Sequence, residues 1–141
     1  VPLSWIVYIL TALAALVVVL TRKRLGGDEA GAGRFQTSSN LLNVHTVAGA
    51  LAVLLWVVFL VTGAGDGVGN AFVGIVALAF FWITVVAGLM ILVRWMPSRG
   101  KHSSDAIHDS WSDGPGLSVL GHVGMLVGVC VFTWAYLTSA V

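Results

Sequence analysis

Charge is what this sequence has least of. Lys and Arg together number 7 and Asp and Glu 6 in 141 residues, against 58% hydrophobic residues. A soluble domain of this size has no use for so much apolar surface, so the excess is expected to face lipid. The long apolar runs carry no Asp, Glu, Lys or Arg in their middles. That argues against an ion pump or proton-coupled transporter, which needs charges inside the membrane. Cysteine is nearly missing too. Cys130 is the only one, which excludes an internal disulfide and an iron–sulfur cluster built by this chain alone. Lying mid-span, it reads as small apolar filler. No nucleophile, base and acid are set out as a catalytic group. The sequence therefore reads as a non-enzyme, or as one whose chemistry would belong to a cofactor. The net charge of +1 is too small to point to nucleic acid as a partner.

Four runs meet the length of roughly 20 apolar residues that a membrane span needs. They cover about Pro2 to Thr21, Leu41 to Gly63, Val68 to Val93 and Leu117 to Val141. They are apolar all round and lack the polar face of a surface helix. The fold expected is all-α, a single integral membrane domain folded as a four-helix bundle over residues 1–141. No basic stretch precedes the first run, which reads as a span and not as a secretory signal peptide.

The few charges are sharply sorted. Arg22, Lys23, Arg24 and Arg34 follow the first run, and Arg94, Arg99 and Lys101 follow the third. The link GAGDGVGN between the second and third runs has Asp66 alone. The positive-inside rule then places both basic loops in the cytoplasm and both termini outside, in a bacterial plasma membrane. The basic side chains are expected to meet anionic lipid headgroups. Trp5, Tyr8, Trp134 and Tyr136 fall at the outer interface and Trp95 at the inner one, where amphipathic rings are favoured. Trp56 and Trp82 lie deeper and are expected between helices.

Histidine stands out against this background. His45 lies about four residues into the second run and His122 about five into the fourth. Those two runs point the same way, so both rings are expected at one depth, close to the cytoplasmic face. This is the layout of a b-type haem held by two axial histidines from facing helices. Gly49, one turn on from His45, could leave room for a flat macrocycle or for another helix. Two other readings fit the same residues. Each ring could be a structural, interfacial histidine bonded to a hydroxyl or carbonyl, since an unbonded polar group in the bilayer costs several kcal/mol. Or the pair could serve a metal or quinone site.

The pairing has a faint echo further along. Trp56, Phe59 and Leu60 stand 11, 14 and 15 residues after His45; Trp134, Tyr136 and Leu137 stand 12, 14 and 15 after His122. The chain could be two similar hairpins in parallel. Small residues mark places where helices can approach closely: Gly124 and Gly128 on the fourth run, and Gly74, Ala77 and Gly88 on the third. They are expected to pack the bundle internally, with docking to a larger complex as the other use.

The loop RWMPSRGKHSSDAIHDSWSDGPG is the most polar segment. His102, Asp105, His108 and Asp109 have ligand types that suit zinc or a related divalent ion. A short interfacial helix over residues 103–111 would bring them toward one face. A plain solvated loop at the membrane surface accounts for them as well. The first loop is rich in Gly and Ser, and its end, TSSN, reads as the cap of the second span.

Four spans carrying NVHTVAGALAVLLW and GHVGMLVGV resemble small bacterial b-type cytochrome anchors, including the cytochrome b561-like group. That resemblance implies a haem b on His45 and His122 and a role in electron transport. Those families often use more than one histidine pair, whereas this chain has one pair inside its spans, so a second haem is not expected. The layout is also similar to functionally unassigned four-span proteins of high-GC bacteria, a likeness that implies no activity. The leading expectation is an accessory or anchor subunit of a larger membrane complex, with lipid and other membrane subunits as partners. A haem carrier and a loop metal binder are the alternatives.

Overall fold

The computed structural model describes residues 1–25, 39–62, 68–95 and 115–141, with side chains described over 1–19, 40–62, 70–93 and 119–141. These residues form four α-helices: α1 (Leu3–Leu25), α2 (Ser39–Thr62), α3 (Val68–Trp95) and α4 (Pro115–Leu137). Three helical stretches are long and apolar enough to cross a membrane, Asn40–Thr62, Asn70–Val93 and Val119–Leu137. Helix α1 itself runs for 23 residues, and its described apolar side chains cover Leu3–Val19.

Helix α4 starts and stops differently from the apolar run that announces it. It begins at Pro115, two residues early, because proline suits the first helical position, where its missing N–H is no loss. It ends at Leu137, short of the chain's end, where Ser139 adopts a left-handed φ of 51°. The Ala140 amide then donates back to the Ala135 carbonyl at 2.9 Å. This is the six-to-one closure that caps helices, with serine where glycine is usual.

The helices form a ring. Helix α2 packs along α3, α3 also touches α4, and α1 touches α2 and α4. Helices α2 and α4 are therefore diagonal. They are also parallel and in register, since two contacts at equal spacing join them. The rings of His45 and His122 lie 6.2 Å apart. Fourteen residues further along each helix, Phe59 and Tyr136 meet at 5.6 Å.

The core between these two levels is aromatic. Trp56 is fully buried and touches Phe59, Phe81 and Phe132, at ring separations of 5.1, 6.2 and 5.1 Å. Alanines at 52, 77 and 135 are buried around it and let the backbones close in. The Trp56 indole donates to the Thr11 hydroxyl at 3.2 Å, and Thr11 donates to the Val7 carbonyl at 2.8 Å. Burial of these polar groups is thereby satisfied. No buried side-chain nitrogen or oxygen among the described residues lacks a partner. Large apolar side chains are exposed on all four helices, as a lipid-facing bundle requires.

Several sequence expectations change here. Trp5, Tyr8 and Trp134 are exposed, but Tyr136 turns inward, packs on Phe59 and donates its hydroxyl to the Ala71 carbonyl at 2.9 Å. Trp56 lies between helices, and Trp82, though 38% exposed, bridges α3 to α4 by donating to the Thr133 hydroxyl at 3.3 Å. Cys130 faces outward and fills no internal space. The internal repeat holds at Phe59 and Tyr136 and fails at the tryptophans. Trp56 is buried and Trp134 is 63% exposed, because the extra residue before Trp134 rotates it by about 100° around its helix.

Candidate functional site at the histidine pair

His45 and His122 meet because α2 and α4 are parallel and each carries its histidine six or seven residues from its start. That is about 9–11 Å along the helix, somewhat deeper than the apolar runs imply. The ring planes are inclined by 26°. The antiparallel α3 supplies the floor from Thr84 and Gly88, and its last residue, Trp95, lies seven beyond Gly88.

The orientation of the His45 ring follows from its partner. Its Nδ1 lies 3.0 Å from the Thr84 carbonyl oxygen. A carbonyl only accepts, so Nδ1 carries the proton and donates. In the neutral ring this leaves the Nε2 lone pair as the available ligand atom. A backbone carbonyl on the second nitrogen is the usual way of fixing a metal-binding imidazole. Thr84 keeps its own hydroxyl occupied, donating to Phe80 at 2.8 Å. Gly88 follows Thr84 by one turn, and its missing side chain leaves that carbonyl open to His45.

Gly88 also governs the space between the rings. A Cβ built there would lie 2.9 Å from His122 Cδ2, 3.2 Å from His122 Nε2 and 3.0 Å from His45 Cε1. Any side chain at 88 would collide with both imidazoles at once. Glycine is therefore required by this packing. The same geometry bears on haem. A porphyrin ligated by both rings must lie between them and extend well beyond them on every side. Gly88 backbone occupies part of that plane, one bond from a point about 3 Å from either ring. The pair as it stands does not fit a porphyrin; a haem there requires α3 to stand farther away.

Gly49 faces α3, not the space between the rings. A Cβ on it would meet Thr84 Cγ2 at 3.4 Å, so what Gly49 admits is another helix. Gly88 is the residue that sequence reasoning did not connect with the histidines. It was visible as a small residue of the third span, but its level relative to them depends on the register of α3. His102, Asp105, His108 and Asp109, together with the short helix expected around them, lie outside the described residues. Among the described residues no group of three or more His, Cys, Asp or Glu is gathered for a metal.

No protein-family model, no curated protein and no solved structure matches this chain.

Proposed function

We propose that the protein is a multi-pass subunit of the bacterial plasma membrane whose working part is the His45–His122 pair, a site that holds a metal centre near the cytoplasmic face. One observation carries this reading: two imidazoles from diagonal helices converge at 6.2 Å, with one of them already oriented by a backbone carbonyl. Intramembrane ionisable rings brought together in this way are functional candidates by default. Both termini lie outside, and the basic loops that follow α1 and α3 lie inside.

The test is made on protein purified in mild detergent, by elemental analysis and a reduced-minus-oxidised spectrum. Stoichiometric metal or haem that disappears in His45→Ala and His122→Ala supports the reading. A b-type haem band would mean that α3 moves aside to admit a porphyrin. Protein without metal or haem at the pair overturns it. A metal lost in His108→Ala and retained in His45→Ala would place the centre in the polar loop instead.

Service within a larger, respiratory-type assembly is part of the same proposal. It draws on a sequence that offers cofactor chemistry but no catalytic group of its own. Gentle affinity purification from membranes is expected to return constant partner subunits. Migration alone, with every membrane complex intact in a deletion strain, would rule out that role.

A further inference from the structure

The outward side of α3 carries two grooves in the half of the helix that leads to Arg94. One, of ≈380 Å³, runs between α2 and α3, with Leu41 and Val44 against Ile83 and Ala87. The other, of ≈360 Å³, lies along α3 beside Leu89 and Val93. Val86 and Met90, 54% and 45% exposed, line both, so the two grooves share a ridge. Both volumes fall in the range of ligand sites, about 300–1,000 Å³. The walls are apolar. Their one strong hydrogen-bonding group, the Trp82 indole N–H, is already committed to Thr133. From Trp82 to Val93 the grooves extend about 17 Å along the helix, close to half of the roughly 30 Å hydrocarbon core.

We propose that these grooves hold the two acyl chains of one anionic diacyl phospholipid, astride the Val86–Met90 ridge, with its phosphate at Arg94. Length and charge decide the occupant. A partner helix, or a second copy of this chain, would cross the whole hydrocarbon core, whereas the grooves cover about one leaflet. Two grooves of nearly equal volume suit a lipid with two chains. Arg94 follows Met90 by four residues on α3, one turn nearer the headgroup level. Arginine offers a phosphate a fork of N–H donors together with its charge. Asn40, exposed at the start of α2, adds an amide donor at the same end, because α2 and α3 run antiparallel. Basic clefts between spans on the cytoplasmic side bind anionic headgroups in this way. The inference rests on the membrane reading and the orientation proposed above, and not on the metal at the histidine pair.

The full chain, stripped of lipid in mild detergent, is titrated with phosphatidylglycerol and, separately, with phosphatidylcholine of the same acyl chains. Bound lipid is counted by native mass spectrometry. The expected result is one phosphatidylglycerol per chain, held in preference to phosphatidylcholine. Arg94→Gln should cut that preference about fivefold, the effect of one basic residue at an anionic headgroup. Lys23→Gln, on α1 across the bundle from α3, should leave it unchanged. Val86→Trp should abolish retention by filling the grooves from their shared ridge. Ile75→Trp, at a position of the other half of α3 that is 53% exposed, should not. Unfolding midpoints of the lipid-free variants, compared with lipid-free wild type, separate a filled groove from a lost fold. Should Val86→Trp fail to fold, Met90→Trp on the same ridge takes its place. Equal retention of the two lipids, a preference untouched by Arg94→Gln, or binding undisturbed by the ridge variant overturns the inference. So does a quinone or a second protein chain recovered in place of lipid and lost in the ridge variant. The metal at the histidine pair is read separately by elemental analysis, so failure of either proposal leaves the other standing.

Discussion

Gly49, Gly74 and Gly88 on α2 and α3 each face a side chain of another helix. Along α4, the positions where Gly121, Gly124 and Gly128 would carry a Cβ have no described neighbour within 4 Å. At Gly74 and Gly88 the neighbouring rings have closed to the limit of contact, and at Gly49 the neighbour stands at ordinary contact distance. The second group leaves room for at least a methyl. Gly128 is buried all the same, so the space beside it is a loose fit inside the bundle. The lesson concerns what small residues report in a membrane helix. Small-x-x-x-small spacing permits close approach, but the register of the neighbouring helix decides whether the approach is used.

The comparison breaks first at the two most crowded positions. A Cβ on Gly74 would lie 2.6 Å from Tyr136 Cε2 and 3.0 Å from two Phe59 ring atoms. Tyr136 cannot simply swing away, because its hydroxyl is tied to the Ala71 carbonyl. Gly74→Ala and Gly88→Ala are each expected to destabilise the fold by about 1–3 kcal/mol, the range for overpacking a filled core. Thermal or denaturant unfolding in detergent checks both. Wild-type stability in either variant would mean that α3 has slack the geometry denies.

The next effect tests why Gly74 is so confined. Tyr136→Phe removes one hydrogen bond to backbone and should cost about 1 kcal/mol. It should also soften the penalty of Gly74→Ala, since the ring is then freer to move. A double-mutant cycle measures that coupling, expected at about 0.5 kcal/mol or more for residues in contact. Strict additivity would show that Phe59, and not the tethered tyrosine, sets the limit.

Smaller again is Gly49→Ala. Its nearest neighbour, Thr84 Cγ2 at 3.4 Å, stands at ordinary contact distance. Stability should change by no more than about 0.5 kcal/mol, with contact crowding offset by the better helix propensity of alanine. A large loss, read by the same unfolding assay, would show that Thr84 cannot yield while its carbonyl holds His45.

These positions also show what could be read from residues alone. Composition and the four apolar runs give an all-helical chain, and the shared direction of the second and fourth runs brings His45 and His122 to one level. Gly88 was out of reach. Helices that are apolar all round have no polar face to show which side turns inward or where one helix stands against the next. The same blindness hides the inward turn of Tyr136, whose ring packs on Phe59 and whose hydroxyl donates to the Ala71 carbonyl. It explains Gly124 and Gly128 as well, whose motif promised close packing. By contrast, the end of α4 is set by local backbone geometry at Ser139, which serine permits but does not advertise as glycine would.

The last substitutions should do almost nothing, or slightly the reverse of harm. In Gly124→Ala and Gly128→Ala the added methyl meets no described atom within 4 Å, so no overpacking term arises. What remains is the chain's own preference. Glycine within a helix is less favourable than alanine by up to about 1 kcal/mol, because it gives up more backbone freedom on folding. At Gly128 the methyl also takes up buried space. Both variants are therefore expected to be neutral or to raise the unfolding midpoint, with Gly128→Ala the more stabilising. The contrast with Gly74→Ala would then span both signs for one chemical change. Should Gly124→Ala instead destabilise the chain in native membranes while leaving it unharmed in detergent, the face carrying Gly124 is occupied by another helix there. The open side of α4 would then be the side on which a partner subunit rests.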